Sequence, residues 1–243
     1  MRNLNVLAVA STLLSLVTGH LIFAQNVDVH AQVRLLPAKS ETSAHGPHSM
    51  LPSPPASVIW LTPLENKSPL PSKSGQYVLT QKNKQFTPHL LVIPAGSIVE
   101  FPNQDPYFHN VFSLFNGRRF DLGLYEAGST RSVRFSREGV SYVFCNIHPE
   151  MSAVVLALST PYFAVVEKRD STEIHDVPPG QYRLHVWSEG AALEPLDALT
   201  RVVDIAAGNS DLGLIEIPLS GDLSAHHKNK FGNDYDNNSP PIY

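Results

Sequence analysis

The sequence predicts an all-β protein, and three observations carry that prediction. Twenty prolines and fourteen glycines punctuate the 243 residues. Between them lie short runs of Val, Ile, Leu, Phe and Tyr, several alternating with the two-residue period of a half-buried strand. No stretch sustains a long apolar period of 3.6 residues. Short strands separated by turns in this way suit a β-sandwich or a Greek-key barrel.

Met1-Arg2-Asn3, the apolar stretch Leu4 to Phe23 and Ala24 have the shape of a secretory signal peptide over residues 1–24. The alternative is a retained anchor, because the stretch approaches the length that crosses hydrocarbon. Nothing after Ala24 is apolar for long enough to span, so a cleaved chain is expected to be periplasmic or secreted.

Val27 to Leu35 (V-D-V-H-A-Q-V-R-L) alternates as a strand, and Pro37 to Pro55, rich in Pro, Ser and His, reads as a loop. Ser57 to Leu61 is a second strand, followed by a loop from Pro63 to Gly75. A denser set comes next: Gln76–Thr80, His89–Ile93, the P-A-G turn at 94–96, Ile98–Phe101 and His109–Phe115. The segment F-D-L-G-L-Y-E-A-G at 120–128 reads as a loop, before strands at Arg131–Phe135, Ser141–Phe144 and Ala153–Leu158. Beyond Tyr162 come F-A-V-V, T-E-I-H-D-V-P-P-G at 172–180, Tyr182–Trp187, Thr200–Ile205 and Leu212–Ile217. Residues 219–243 hold little to bury and are predicted to be disordered.

Eighteen basic against 22 acidic residues give a net charge of −4, which offers nothing to nucleic acid. The chain has one cysteine, Cys145, so an internal disulfide is excluded. In an exported protein a lone thiol is either a liability or occupied, and metal ligation occupies it. With no second thiol, a structural zinc site and an iron–sulfur cluster are disfavoured.

Cys145 stands in V-F-C-N-I-H-P-E-M at 143–151, with His148 three residues on and Met151 three beyond that. Upstream lies F-H-N-V-F-S at 108–113, which contributes His109. A thiolate, two imidazoles and a thioether are the ligand set of a mononuclear blue (type 1) copper site. The thiolate gives a short covalent bond, the imidazoles complete the plane, and a weak axial thioether lets both oxidation states share one geometry. An enzyme reading finds no support: there are no H-x-H pairs for a trinuclear copper centre and no G-x-S-x-G elbow.

F-P-N-Q-D-P-Y-F-H-N-V-F-S from Phe101 to Ser113, taken with Val143–Met151, resembles the cupredoxins, and within them the plastocyanin/amicyanin branch. The likeness runs from about Gln76 to Ser159. It implies a Greek-key β-sandwich binding one copper ion through His109, Cys145, His148 and Met151. By the same resemblance, the Asn110 side chain ties the His109 strand to the Cys145 loop. His148 would be the exposed ligand through which electrons enter and leave. Pro149 would stiffen the ligand loop and remove one N–H from the neighbourhood of the sulfur. The region 115–128 departs from the plain cupredoxin connection, and its Arg118 and Arg119 suit an acidic partner.

D-V-P-P-G-Q-Y-R-L-H-V-W at 176–187 resembles the carboxypeptidase regulatory-like or transthyretin-like domain, a second small immunoglobulin-like β-sandwich. Two arrangements fit. Residues 27–71 and 160–218 form that sandwich with the cupredoxin, 72–159, inserted; or the parts follow in tandem. His175 and His185 lie near strand ends with no ligand spacing around them. His45, His48, His226 and His227 fall in soft segments suited only to adventitious copper.

The resulting expectation is an electron carrier outside the cytoplasm, exchanging single electrons with protein partners such as a c-type cytochrome or a periplasmic oxidoreductase. A copper-handling or sensing module is the alternative.

Overall fold

The computed structural model describes residues 25–37, 55–64, 73–114, 117–166, 170–220 and 228–235. The signal-like segment 1–24 and His45, His48, His226 and His227 lie outside the described residues. In chain order the strands begin β1 (Val27–Leu36), β2 (Ser57–Pro63), β3 (Gln76–Val78), β4 (Thr80–Lys82), β5 (Gln85–Thr87) and β6 (Leu90–Pro94). They continue β7 (Ser97–Pro102), β8 (His109–Ser113), β9 (Phe120–Tyr125), β10 (Thr130–Phe135), β11 (Gly139–Cys145) and β12 (Ser152–Leu158). The last are β13 (Phe163–Val166), β14 (Asp170–Val177), β15 (Gly180–Ser188), β16 (Arg201–Ile205) and β17 (Asp211–Pro218), with the helix α1 (Leu193–Leu199) before β16.

Hydrogen bonding sorts these into sheets ordered β14-β1-β17, β13-β2-β15-β16, β6-β12-β11-β8-β9 and β10-β7-β3, plus the hairpin β4-β5. Among the described residues, β1 and β2 thus pair only with strands that follow Leu158: β1 with β14 and β17, β2 with β13 and β15. The chain between β2 and β13 builds the other sheets.

The described residues form two buried clusters, and β12 belongs to both. Ala153, Val155 and Ala157 face the cluster that contains Val111, Val143, Cys145 and Met151. Val154, Leu156 and Leu158 face the cluster that contains Val58, Ile59, Trp60 and Trp187. Alternate residues of a strand point to opposite faces, so one strand welds two cores. The run S-A-V-V-L-A-L, apolar at six consecutive positions, is what a strand buried on both faces requires.

The structure departs from the sequence reading in four places. The segment expected as a loop at 120–128 opens as strand β9, paired with β8. Gly123, at a φ of 67°, marks a bulge, after which Tyr125 turns inward and Leu124 outward. That break in alternation is what hid the strand. Helix α1 has seven residues, too few to show a period, and buries only Leu196. The hairpin β4-β5 turns at Asn83-Lys84, both with a φ of 56°, as a two-residue turn requires.

The fourth departure lies in the segment expected to be disordered. Residues 228–235 are held in place: Asn229 Oδ1 accepts the amides of Phe231 and Asn233, at 3.0 and 3.1 Å. The Lys230 amide donates to Asn146 Oδ1 (2.9 Å), and Tyr235 Oη donates to the Cys145 carbonyl (2.8 Å). The segment is polar and makes up in hydrogen bonds what it lacks in apolar area. The rest of that tail, 221–227 and 236–243, lies outside the described residues.

Candidate metal centre

Antiparallel pairing of β8 with β11 sets Cys145 opposite Val111 and Phe144 opposite Phe112. The start of β8, carrying His109, therefore meets the end of β11, carrying Cys145. The turn from β11 to β12 then supplies His148 and Met151. Two backbone bonds close that turn: Met151 N–H to the His148 carbonyl (3.1 Å) and Cys145 N–H to the Met151 carbonyl (3.2 Å).

His109, Cys145 and Met151 are fully buried and His148 is 6% exposed. Cys145 Sγ lies 3.6 Å from Nδ1 of His109 and 3.6 Å from Nδ1 of His148. The ligand atoms of these three residues all fall within 4.8 Å of one another. Met151 packs in the same buried cluster as Cys145.

Protonation states suit a metal. Burial holds the His109 ring below the usual imidazole value despite the neighbouring carboxylate. Burial first, then the nearby His109 ring and Lys84, push His148 down to about 4. Both rings are therefore neutral near pH 7, each with a lone pair to offer. Burial pushes the Cys145 thiol up, while amides of Asn110, Ile147 and His148 directed at the sulfur act in the opposite sense. A metal that binds here displaces the thiol proton.

Asp105 was not singled out in the sequence. His109 Nε2–H donates to Asp105 Oδ2 at 2.9 Å, which leaves Nδ1 as the ligating nitrogen. Burial alone would raise the Asp105 carboxyl, but the Lys84 amide, the His109 ring and the Asn83 amide outweigh it and hold it below its ordinary value. Those amides donate at 3.0 Å (Lys84) and 2.6 Å (Asn83). The carboxylate thereby also explains why Lys84, a side chain that seldom adopts positive φ, does so here. Only the spacing D-P-Y-F-H hinted at it, and Asp-Pro reads more readily as a turn.

Two expectations are corrected. The Asn110 side chain does not reach the Cys145 loop: Nδ2 donates to Asp121 Oδ1 on β9 (2.6 Å). The tie to the ligand loop is made instead by the Asn110 backbone, whose carbonyl accepts the Asn146 amide at 3.0 Å. Asp121 in turn receives Lys230 Nζ at 2.8 Å, so the C-terminal segment grips the same network. The second correction concerns His148. It is not an exposed ligand, and its Nε2 is shut off from solvent with no hydrogen-bond partner among the described residues. The Tyr107 ring packs against it, centroids 5.6 Å apart, and against His109 at 5.4 Å.

Elsewhere, His185 stacks on Trp60 at 5.0 Å. His175 sits with Asp28 and Glu173 in an exposed cluster accounted for by a pair between His175 and Asp28 at 3.3 Å. Arg119 Nε donates to the Leu114 carbonyl (2.7 Å) and braces its own loop. No described helix is long and apolar enough to cross a membrane.

No family model matches the sequence, and no curated protein matches it. Solved structures overlap part of it. A copper-containing nitrite reductase from Thermus scotoductus shares 22% identity over 34% of this chain, with a TM-score of 0.33. The chain spans only 22% of that protein's length. A purple cupredoxin from Nitrosopumilus maritimus shares 26% identity, with 35% of this chain and 100% of that one covered and a TM-score of 0.31. An amicyanin variant with Cu(I) shares 17% identity, with 34% and 82% covered and a TM-score of 0.33. The overlaps take in about a third of the chain, and the functional reading rests on the side chains.

The donor set is that of a single type 1 copper site: one thiolate, two Nδ1 imidazoles and a buried thioether. The residues fit such an ion through the chemistry of their donors, the Nδ1 atoms of both rings lying 3.6 Å from the sulfur.

Proposed function

We propose that the chain is a mononuclear blue copper electron carrier, with His109, Cys145, His148 and Met151 as ligands, acting between redox proteins outside the cytoplasm. The single observation that carries the reading is the convergence of two neutral imidazole Nδ1 atoms on one buried cysteine sulfur, each at 3.6 Å. A bound copper ion supplies a one-electron couple. The protein's own residues hold the ligands still: β8 fixes His109, the carbonyl–amide bonds of the 146–151 turn fix His148 and Met151, and Asp105 fixes the His109 tautomer. Ligands that barely move keep the cost of changing oxidation state low.

No substrate enters into this reading, and no bond is made or broken. The partners suited to it are soluble one-electron proteins, such as a c-type cytochrome or a periplasmic oxidoreductase. The division proposed for the chain is a cupredoxin at 72–159 inserted into a regulatory-like sandwich of 27–71 and 160–218. Among the described residues, the pairing of β1 and β2 only with strands beyond Leu158 supports insertion over tandem order.

The test is one equivalent of Cu(II) added to the full chain and to Cys145→Ser. An intense visible charge-transfer band with narrow copper hyperfine splitting, absent in Cys145→Ser, is expected. A pale protein with broad splitting, unaltered by Cys145→Ser, would overturn the reading. A coloured site without a reversible one-electron wave in voltammetry would favour the copper-handling alternative.

A further inference from the structure

On the copper reading above, electrons would ordinarily cross an exposed edge of the loop histidine. Here that edge is covered. His148 is 6% exposed and its Nε2 faces neither solvent nor a described hydrogen-bond partner. What lies against it is the ring of Tyr107, which touches both candidate ligand imidazoles at once, at centroid separations of 5.4 and 5.6 Å. Separations of this size are those of packed aromatic pairs.

Tyr107 is well placed to be more than a cover. It is half-buried, so one part of the ring meets the histidines and another meets the surface. Its backbone is clamped: the buried Asn103 side chain donates through Nδ2 to the Tyr107 carbonyl at 2.7 Å. The same Asn103 accepts the Asp105 amide through Oδ1 at 3.0 Å. The turn that aims Asp105 at His109 therefore also aims Tyr107 at both rings. On the surface side, the ammonium of exposed Lys84 stands 5.4 Å from the Tyr107 centroid, a cation–π contact.

We propose that Tyr107 is the coupling residue through which the histidine pair exchanges electrons with the outside, with Lys84 marking the surface end of that route. Electron coupling falls steeply across empty or water-filled gaps and less steeply through packed atoms. A ring in contact with both imidazoles is therefore a better bridge than a solvent gap. It also keeps water from the ligands, so they have less solvent to reorganise.

A second aromatic series leaves the other side of the centre. Phe144, the residue before Cys145, stacks on Tyr142 at 6.5 Å, and Tyr142 meets Trp187 at 6.3 Å. Its rings Phe144 and Tyr142 are half-buried like Tyr107, and it ends on Trp187, which is 3% exposed. It supplies the control.

The experiment is electron self-exchange between reduced and oxidised copies of the copper-loaded full chain, followed by NMR line broadening. One copy loses the electron that the other gains, so no outside reagent is needed. Tyr107→Phe is expected to keep the rate, since the ring is kept. Tyr107→Leu is expected to slow it about tenfold, equivalent to ~1.4 kcal/mol of barrier, with the visible band intact. Trp187→Leu should leave the rate alone. A Tyr107→Leu rate equal to or above that of the unmodified protein would show that Tyr107 only shields His148. A slowing confined to Trp187→Leu would move the route to the other side. Both results overturn the proposal.

Two further readouts do not depend on that variant taking up copper. In metal-free protein, diethyl pyrocarbonate should spare His148 in the unmodified chain and in Tyr107→Phe, but label it in Tyr107→Leu; equal labelling in all three would overturn the covering role. Lys84→Gln should slow oxidation of the reduced protein by an anionic metal complex and not by a neutral one. Equal rates with both complexes would remove Lys84 from the route. Absence of the blue band in the unmodified protein would sink the copper reading itself, and would be seen before any rate is measured.

Discussion

The strand-borne half of the metal centre and the loop-borne half are held by different means. His109 rides on β8, inside a sheet, and its outer nitrogen is anchored to a carboxylate that two backbone amides fix in turn. His148 rides on the turn between β11 and β12, and its outer nitrogen bonds to no described residue. Packing by Tyr107 stands where the carboxylate stands on the other side. One imidazole is located by directional hydrogen bonds and the other by contact. Hydrogen bonding to an ion fixes orientation tightly, whereas packing excludes solvent but tolerates small rotations. The strand half is therefore the more tightly oriented of the two.

Removing Asp105 should break the contrast most sharply. Asp105→Ala strips the acceptor from the His109 ring and from the Asn83 and Lys84 amides together. Copper affinity in a competitive chelator titration is expected to fall about 10–100-fold, the usual cost of losing such an outer partner. Asp105→Asn keeps an oxygen for the ring and should lose less; equal losses would mean that charge, not the hydrogen bond, anchors His109.

A smaller effect should follow on the loop side from Tyr235→Phe, which deletes the hydroxyl bond to the Cys145 carbonyl. About 0.5–1.5 kcal/mol of stability is expected to go, read as a lower urea midpoint. An unchanged midpoint would place the C-terminal segment outside the fold's cooperative unit.

The smallest effect concerns the far end of the ligand turn. His89 presents Nδ1 to the Ser152 carbonyl at 3.1 Å and Nε2 to the Glu189 carboxylate at 2.9 Å. Both partners are acceptors, so only the imidazolium makes both bonds. The Glu189 hydrogen bond raises His89 above its ordinary value against the opposing effect of burial. A folded value above the unfolded 6.5 means the contribution is complete at lower pH and is lost as pH rises through the raised value. The pair is partly exposed, so the size is at most about 1 kcal/mol. Urea midpoints of the unmodified chain and His89→Gln should differ at pH 6 and converge toward pH 9. A gap that widens with pH would reverse the assignment.

Much of this was legible in the sequence, for reasons that can be named. Cys145, His148 and Met151 lie within one turn, and the only long-range step needed was that His109 opens a strand that pairs with β11. The apolar run at 153–158 was legible as a strand, while its burial on both faces came from the packing of the two clusters. What stayed hidden depended on contacts distant in sequence. Asp105 reads as a turn residue until β4 and β5 bring Asn83 and Lys84 to it. Tyr107 is one aromatic among several until both histidines are placed around it. Lys230 and Tyr235 belong to a polar tail whose reason for order, the carbonyl of Cys145 and the side chains of Asn146 and Asp121, comes from other elements.

The parallel pairing of β1 with β17 bears on how the molecule would carry tension. Pulling the start of β1 against the end of β17 loads their hydrogen bonds in shear, all together, and shear is the resistant direction for a ladder. The segment that bears the copper ligands leaves at β2 and returns at β13, which are themselves adjacent with Trp60 opposite Phe163. It lies outside the line of force until those strands part. The C-terminal segment lies past β17 and carries load only when the pull is applied beyond Tyr235, in which case its few bonds to the ligand loop would unzip one at a time. A force-extension trace in which the ligand-bearing segment opened before β1 and β17 separated would contradict this order. With the pull applied beyond Tyr235, the first grip to slip would be the one on the carbonyl of the cysteine, so a mechanical pull there would register at the metal centre while the sheets were still whole.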